Sequence, residues 1–443
     1  MWLQLTHVSA ARGPLGDASP MNRTVAIRST LRARFAASRK PDLADLPALL
    51  AAAPHRLMFL AGATAIITSM LWWSAVLVSA RFGVPHMPAA PVPAGWAHAI
   101  LTQYGMLPLF VFGFLLTVFP RWTNQPALPR SRYVPVFVGV FGGYLVAHVG
   151  LLGHAGIFIA GLALMLAGWI AAMMALGGVL ARSGGDAHAW SCYAALALGA
   201  CGLVAFVAFA LGAPWQLAFV AIKFGTFGLL LPLYFTVCHR MIPFFSANVV
   251  AGYRVVRPAW SLPLLWALVI AHLGLELTHR YDILWIADAP LFALFAWHWI
   301  AWQPWKARRP GLLTALYLAF AWLPVAFALF SVQSLVDFLG HGFLLGRAPV
   351  HALAIGFFGS MLVAMVTRVT QGHSGRPLEM GGIAWFCFGA VQVVALLRIG
   401  AELAHDQAFW LAIAAVAWLA AFTPWVLRSA WIYLTPRADG KPG

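Results

Sequence analysis

From His351 to Val366 the chain carries no charged side chain, only Gly, Ala, Met, Phe, Leu and similar residues, and a histidine stands at either end of the longer stretch HALAIGFFGSMLVAMVTRVTQGHSGRPL (His351–Leu378). At 1.5 Å per residue, a continuous helix from His351 to His373 is roughly 33 Å long. A bilayer's hydrocarbon core is about 30 Å thick. The stretch therefore predicts one membrane-spanning helix with an imidazole at each face, and the two cannot share a metal. Any site they build must recruit side chains from other helices. The rest of the chain agrees: 62% of its 443 residues are hydrophobic and 9% charged, where a soluble protein carries about 25% charged residues.

The fold class expected is all-α, a polytopic membrane protein of about twelve transmembrane helices. Twelve apolar runs between residues 57 and 434 are long enough to cross, with the breaks around Gly153 and Gly212 the shortest. Lys and Arg orient them. Of 28 such residues, Arg81, Arg280, Arg347 and Arg398 fall in the odd-numbered loops and Lys223 lies inside the sixth span; the others fall in the tails and even-numbered loops. Positive residues mark the cytoplasmic side, so both termini are expected there, in a multi-pass protein of the cell inner (cytoplasmic) membrane. Three segments follow: a flexible basic tail over 1–54, a twelve-helix domain over 55–435 and a short tail over 436–443. The tail has no apolar core of the kind a secretory signal needs, and Met21 is an alternative start. The formal charge of +16 is dispersed in loops, a pattern of topology signals and not of a nucleic-acid groove.

This orientation sorts the fifteen histidines into two layers. His86, His98, His148, His154, His272, His279, His341, His351 and His405 fall on the outer side; His7, His55, His188, His239, His298 and His373 fall on the inner side. Ionisable groups within spans are costly and face the bundle interior, and neutral imidazole is a common metal and haem ligand. His7 and His188 read as solvated loop residues, His154, His279 and His405 as helix-end residues, and His148, His272 and His298 as side chains bonded to a neighbouring helix. His98 and His351 each open an even-numbered span at the same level, as two axial haem ligands from different helices would. Lys223 either snorkels outward or pairs with an anion such as a haem propionate, and Glu276 is a candidate counter-ion. The four cysteines form no CxxC or CxxCH. Phosphate-cradling, dinucleotide and HExxH patterns are absent, and twelve acidic residues are few for a carboxylate-based proton-coupled transporter.

Four segments together resemble the NnrS family of haem- and copper-containing membrane proteins: PHRLMFLAG (Pro54–Gly62), YGMLPLFVFGFLLTVFPRWTNQPALP (Tyr104–Pro129), VCHRMIPFFSANVV (Val237–Val250) and the His351–Leu378 stretch. HRMIPFF and the GHSGRPL element are the most specific. The resemblance picks out His55, Arg56, Arg121, Trp122, His239, Arg240, His351, Arg368, His373, Gly375, Arg376 and Pro377. One feature departs from it: similar proteins often carry His-x-His ahead of the YG element, and here His98 is followed by Ile100, which puts copper in doubt.

What the resemblance implies is a haem protein, with copper as a second cofactor, acting in the response to nitric oxide or nitrosative stress near denitrification. Nitric oxide or a related small molecule and an unnamed electron donor would be its partners, alongside the lipid bilayer and without nucleic acid. No catalytic residue is named by the motifs. His98 and His351 are the expected axial ligands, with Lys223, Arg347 or Arg398 near the propionates. His55, His239 and His373 form an expected inner metal site or, equally, a hydrogen-bonded clamp. The other reading is a transporter of small molecules, metal or haem without redox turnover. Many transporters are built from related halves, and residues 57–238 and 260–434 show no convincing match.

Overall fold

The computed structural model describes residues 46–440, in which every regular element is helical. Expectations for residues 1–45, including His7, the start at Met1 or Met21 and most of the basic tail, lie outside the described residues, as do residues 441–443. The last part of the tail is ordered. Leu46–Leu50 forms a short helix, held to the bundle where Tyr133 donates to the carbonyl of Ala51 (2.6 Å).

Twelve helices follow at the twelve expected places. They are α1 (Pro54–Phe82), α2 (Ala94–Trp122), α3 (Arg130–Gly150), α4 (Ala155–Ser183), α5 (Ala187–Ala210), α6 (Gln216–Val249), α7 (Ser261–Leu277), α8 (Trp285–Ala301), α9 (Gly311–Phe338), α10 (Ala348–Ser374), α11 (Gly382–Gly400) and α12 (Gln407–Tyr433). Eleven are long and apolar enough to cross a membrane, α8 when counted with the turns that extend it to Tyr281–Lys306. The exception is α7, whose 17 residues span about 26 Å, a little under the hydrocarbon thickness. The expected twelve spans are therefore eleven of full length and one short helix.

Local chemistry sets the ends. Pro54 occupies the first turn of α1, where its missing N–H costs nothing, and Gly83 closes the helix in the left-handed region (φ 78°), donating to the Ser79 carbonyl. Gly375 (φ 68°) ends α10 in the same way and donates to Gln371. Pro377 stops the helix from resuming, so the GHSGRPL element is a helix terminator whose glycine and proline have structural work.

Helix α12 packs along α1 and closes the bundle into a ring, with the first and last described residues at one end, here the terminal end; the other is the distal end. Three helices lie innermost. The apolar windows of α2, α6 and α10 are 83%, 67% and 78% buried, against 56% or less for the other full-length spans. Each contains a π-helical stretch: Leu101–Met106, Phe224–Leu230 and Ala352–Gly359. A fourth lies in α3 at Val138–Gly142. Such widened turns insert a residue and re-aim the side chains before them, often at functional sites.

Candidate cofactor site

At the distal end the structure brings His98 and His351 together. His98 lies on the second turn of α2, its ring stacked on Trp73 of α1 with centroids 4.6 Å apart and planes 8° from parallel. Its Nδ1 is buried and has no hydrogen-bond partner. His351 precedes the π-helical stretch of α10, and its Nδ1 lies 2.8 Å from the Arg347 carbonyl. A histidine that donates one ring N–H to a carbonyl keeps the other nitrogen as a free, oriented lone pair, the usual arrangement of a metal-bound imidazole. His351 is within electrostatic reach of His98, Arg398 and Arg347. Arg398 in turn holds Glu402 at 2.6 Å, both largely buried. Two imidazoles from two helices, one with an unsatisfied buried nitrogen, are a donor set that would suit a haem iron, and the two guanidinium groups beside them would suit its carboxylates.

The ammonium of Lys223 pairs with Glu276 of α7 at 2.7 Å, the counter-ion foreseen for it.

At the terminal end the expected set of His55, His239 and His373 separates in two. His55, on the first turn of α1, packs against His373 of α10 with ring centroids 4.1 Å apart and planes tilted by 36°. Arg56, Arg121 and Arg437 surround the pair, and Arg437 donates to the His373 carbonyl (2.8 Å). Arg376 stands beside Arg56; burial, with Arg428 adding like charge, pulls its pKa down, while the Asp439 carboxylate raises that of Arg437. Across the bundle, His239 of α6 sits with His188 of α5 (Nδ1 to Nε2, 3.0 Å) and with His298 of α8 (ring centroids 5.5 Å). His298 is anchored by Ser261 (3.0 Å) and the Leu294 carbonyl (2.8 Å). Arg240 stacks on Trp122 (4.3 Å) and is ion-paired with Asp186. Burial pushes the Asp186 carboxyl up, but the Ala189 N–H and the Arg240 guanidinium together hold it below its ordinary value.

Between the two histidine groups, α2, α6 and α10 leave an apolar crevice lined by Phe110, Phe114, Tyr234, Cys238, Met361 and Met365, with Phe59 of α1. Phe59 also packs on His55, and Phe235, three residues before Cys238, packs on His239.

Compared with known families, residues 49–437 match the family model described as NnrS protein. The chain belongs to the NnrS family. At family level this makes it a membrane protein of the nitric-oxide response. No curated protein matches it.

Most of the NnrS motif residues fall on the enclosed helices or the turn that ends α10, and His55 and Arg56 open α1. Arg121, Arg240 and Arg368 stand near the terminal ends of α2, α6 and α10, and Arg368 lies over the Phe245 ring (3.8 Å). His188, read from sequence as a solvated residue, is instead half-buried and bonded to His239; the single residue separating it from Asp186 was the available hint, since Asp186 caps α5 by accepting from Ala189 (2.9 Å). His272 was read as bonded to a neighbouring helix, and its partner is Asp288 of α8 (2.7 Å). At the terminal end His55 pairs with His373 and His239 stands between His188 and His298, and among the described residues no three His, Cys, Asp or Glu side chains are arranged as ligands of one metal ion. Ile100 stands where similar proteins carry a second histidine.

Proposed function

We propose that this NnrS protein is an integral haem protein of the cytoplasmic membrane that acts in tolerance of nitric oxide, its haem held at the distal end between His98 and His351. The observation that carries this reading is the unsatisfied, buried Nδ1 of His98 on a helix whose neighbour presents His351 with Nδ1 already engaged. A buried polar atom without a partner costs about 1–3 kcal/mol, a cost that a ligand removes. When bound, haem would supply a redox-active iron, one that takes up a small neutral gas only where one of the two imidazoles gives way. The protein's own part is to orient two imidazoles, to present Arg347 and Arg398 to the carboxylates, and to exclude water from the apolar surroundings. The crevice between α2, α6 and α10 favours partition of an uncharged gas into the bundle. The distribution of Lys and Arg supports cytoplasmic termini and a distal end facing outward.

The test is an optical spectrum of the detergent-purified protein, oxidised and dithionite-reduced, beside His98→Ala and His351→Ala. A sharp reduced haem band in the wild type that is lost in both folded variants is the expected result. A wild-type protein that purifies folded without haem after expression with adequate haem supply overturns the reading.

A further inference from the structure

A second polar cluster lies at the distal end, within the helices, on α6, α7 and α8. His272 of α7 has Nδ1 2.7 Å from Oδ1 of Asp288 on α8. Its Nε2 lies 3.6 Å from Oε1 of Glu276, one turn further along α7. Oε2 of Glu276 meets the ammonium of Lys223 on α6 at 2.7 Å. His272, Glu276 and Asp288 are 1%, 3% and 0% exposed. The surroundings are apolar: Phe227, within the π-helical stretch that follows Lys223, packs against the imidazole at 4.0 Å, and α9 contributes Phe327 and Phe330.

Two accounts of this cluster agree. Counting charge, two carboxylates face one ammonium, and a buried net charge is expensive unless compensated. Counting hydrogens, Nδ1 must carry one to bond Asp288, which in a neutral ring leaves Nε2 as a lone pair. That nitrogen is buried without a partner, as is Oδ2 of Asp288, and a lone pair pointed at a carboxylate oxygen repels it. One additional proton repairs both counts, whether it rests on the ring or on a carboxyl group. A divalent cation would not, because Lys223 already occupies Glu276 with a fixed positive charge.

We infer that Asp288, His272 and Glu276 form a proton-binding site, closed by Lys223, that exchanges its proton with water at the distal end. Lys223 is 22% exposed in its side chain. Tyr281, in the turn between α7 and α8, is within electrostatic reach of Glu276, and its hydroxyl is 3.0 Å from Nδ1 of the exposed His279. A route from Asp288 to solvent thus passes through Glu276 to groups at the surface. The site stands apart from the haem reading, and its test needs no haem.

The experiment is infrared spectroscopy of the full chain in lipid nanodiscs, in water and after transfer to heavy water, on wild type, Asp288→Asn and Glu276→Gln. It is joined by nitrogen NMR of histidine-labelled protein, with His272→Gln assigning the ring. The wild type is expected to show either a doubly protonated His272 or a protonated-carboxyl stretch that one of the two acid variants abolishes, and the signal should shift on transfer to heavy water. A neutral His272 beside two ionised carboxylates overturns the site. A bound proton that does not exchange overturns the exchange with solvent. Should His272→Gln not fold, the ring is assigned instead as the histidine whose nitrogen resonances move in Asp288→Asn, since Asp288 bonds its Nδ1.

Discussion

Asp186 joins three helices through two different contacts, and they can be separated by substitution. One oxygen accepts from the Ala189 N–H (2.9 Å) and caps α5; the other carries the ion pair to Arg240 of α6, whose guanidinium stacks on Trp122 of α2. Asp186→Asn keeps a competent cap and loses the ion pair. Because the carboxylate side chain is 40% exposed, water screens much of that pair, and the expected loss is about 0.5 kcal/mol. Asp186→Ala removes the cap as well and should cost about 1 kcal/mol more. The sign with pH follows from the lowered carboxyl. The contribution is full above the unfolded carboxylate value of about 4 and fades as pH falls through the lower folded value. Thermal unfolding of wild type and Asp186→Asn in detergent should therefore differ at neutral pH and draw together on acidification below the ordinary carboxylate value; a separation that does not narrow as the pH falls would rule this account out. At this scale the sequence showed residue types and left pairings open. His98 and His351 were legible because both open even-numbered spans at one level, whereas His188, His239 and His298 meet only through the packing of α5, α6 and α8.

Helices α3 and α4 approach so closely that glycine is required between them. A Cβ on Gly143 would lie 2.4 Å from the Met165 nitrogen, and one on Gly161 would lie 2.3 Å from the Ala147 nitrogen. Such small-residue seams let membrane helices gain backbone contact that lipid tails cannot replace. Gly161→Leu cannot be accommodated without separating the helices and should destabilise the protein by about 3 kcal/mol, read as a lowered unfolding temperature. Gly156, near the start of the same helix, has open space around it, and Gly156→Ala should leave that temperature unchanged or raise it slightly. Equal effects from the two substitutions would count against the seam. Helix number and place were readable because apolar length alone decides who can cross. The π-helical stretches were not, since runs such as Ala352–Gly359 are apolar on every side and carry no period from which an inserted residue could be read.

Across the whole molecule, the three most enclosed helices recur every fourth span. Residues 57–238 and 260–434 do not repeat as two halves of six spans, while α2, α6 and α10 share enclosure, a π-helical stretch and an arginine near the terminal end. Three of the four NnrS motif segments lie on these same helices, and the fourth opens α1. Orientation is the molecular property on which the haem reading and the proton site both depend, because it decides which compartment their end faces. By the charge asymmetry, the orientation proposed here has the terminal end in the cytoplasm. Two exposed loop residues report on the two ends: Arg254, between α6 and α7, and His341, between α9 and α10. With the exposed Cys201 replaced by serine, His341→Cys should react with a membrane-impermeant maleimide in spheroplasts. Arg254→Cys should react only after the membrane is opened. The reverse pattern would invert the molecule and place the His98–His351 pair toward the cytoplasm. Its electrons could then come directly from a soluble donor, whereas the outward placement requires a donor in the membrane or beyond it.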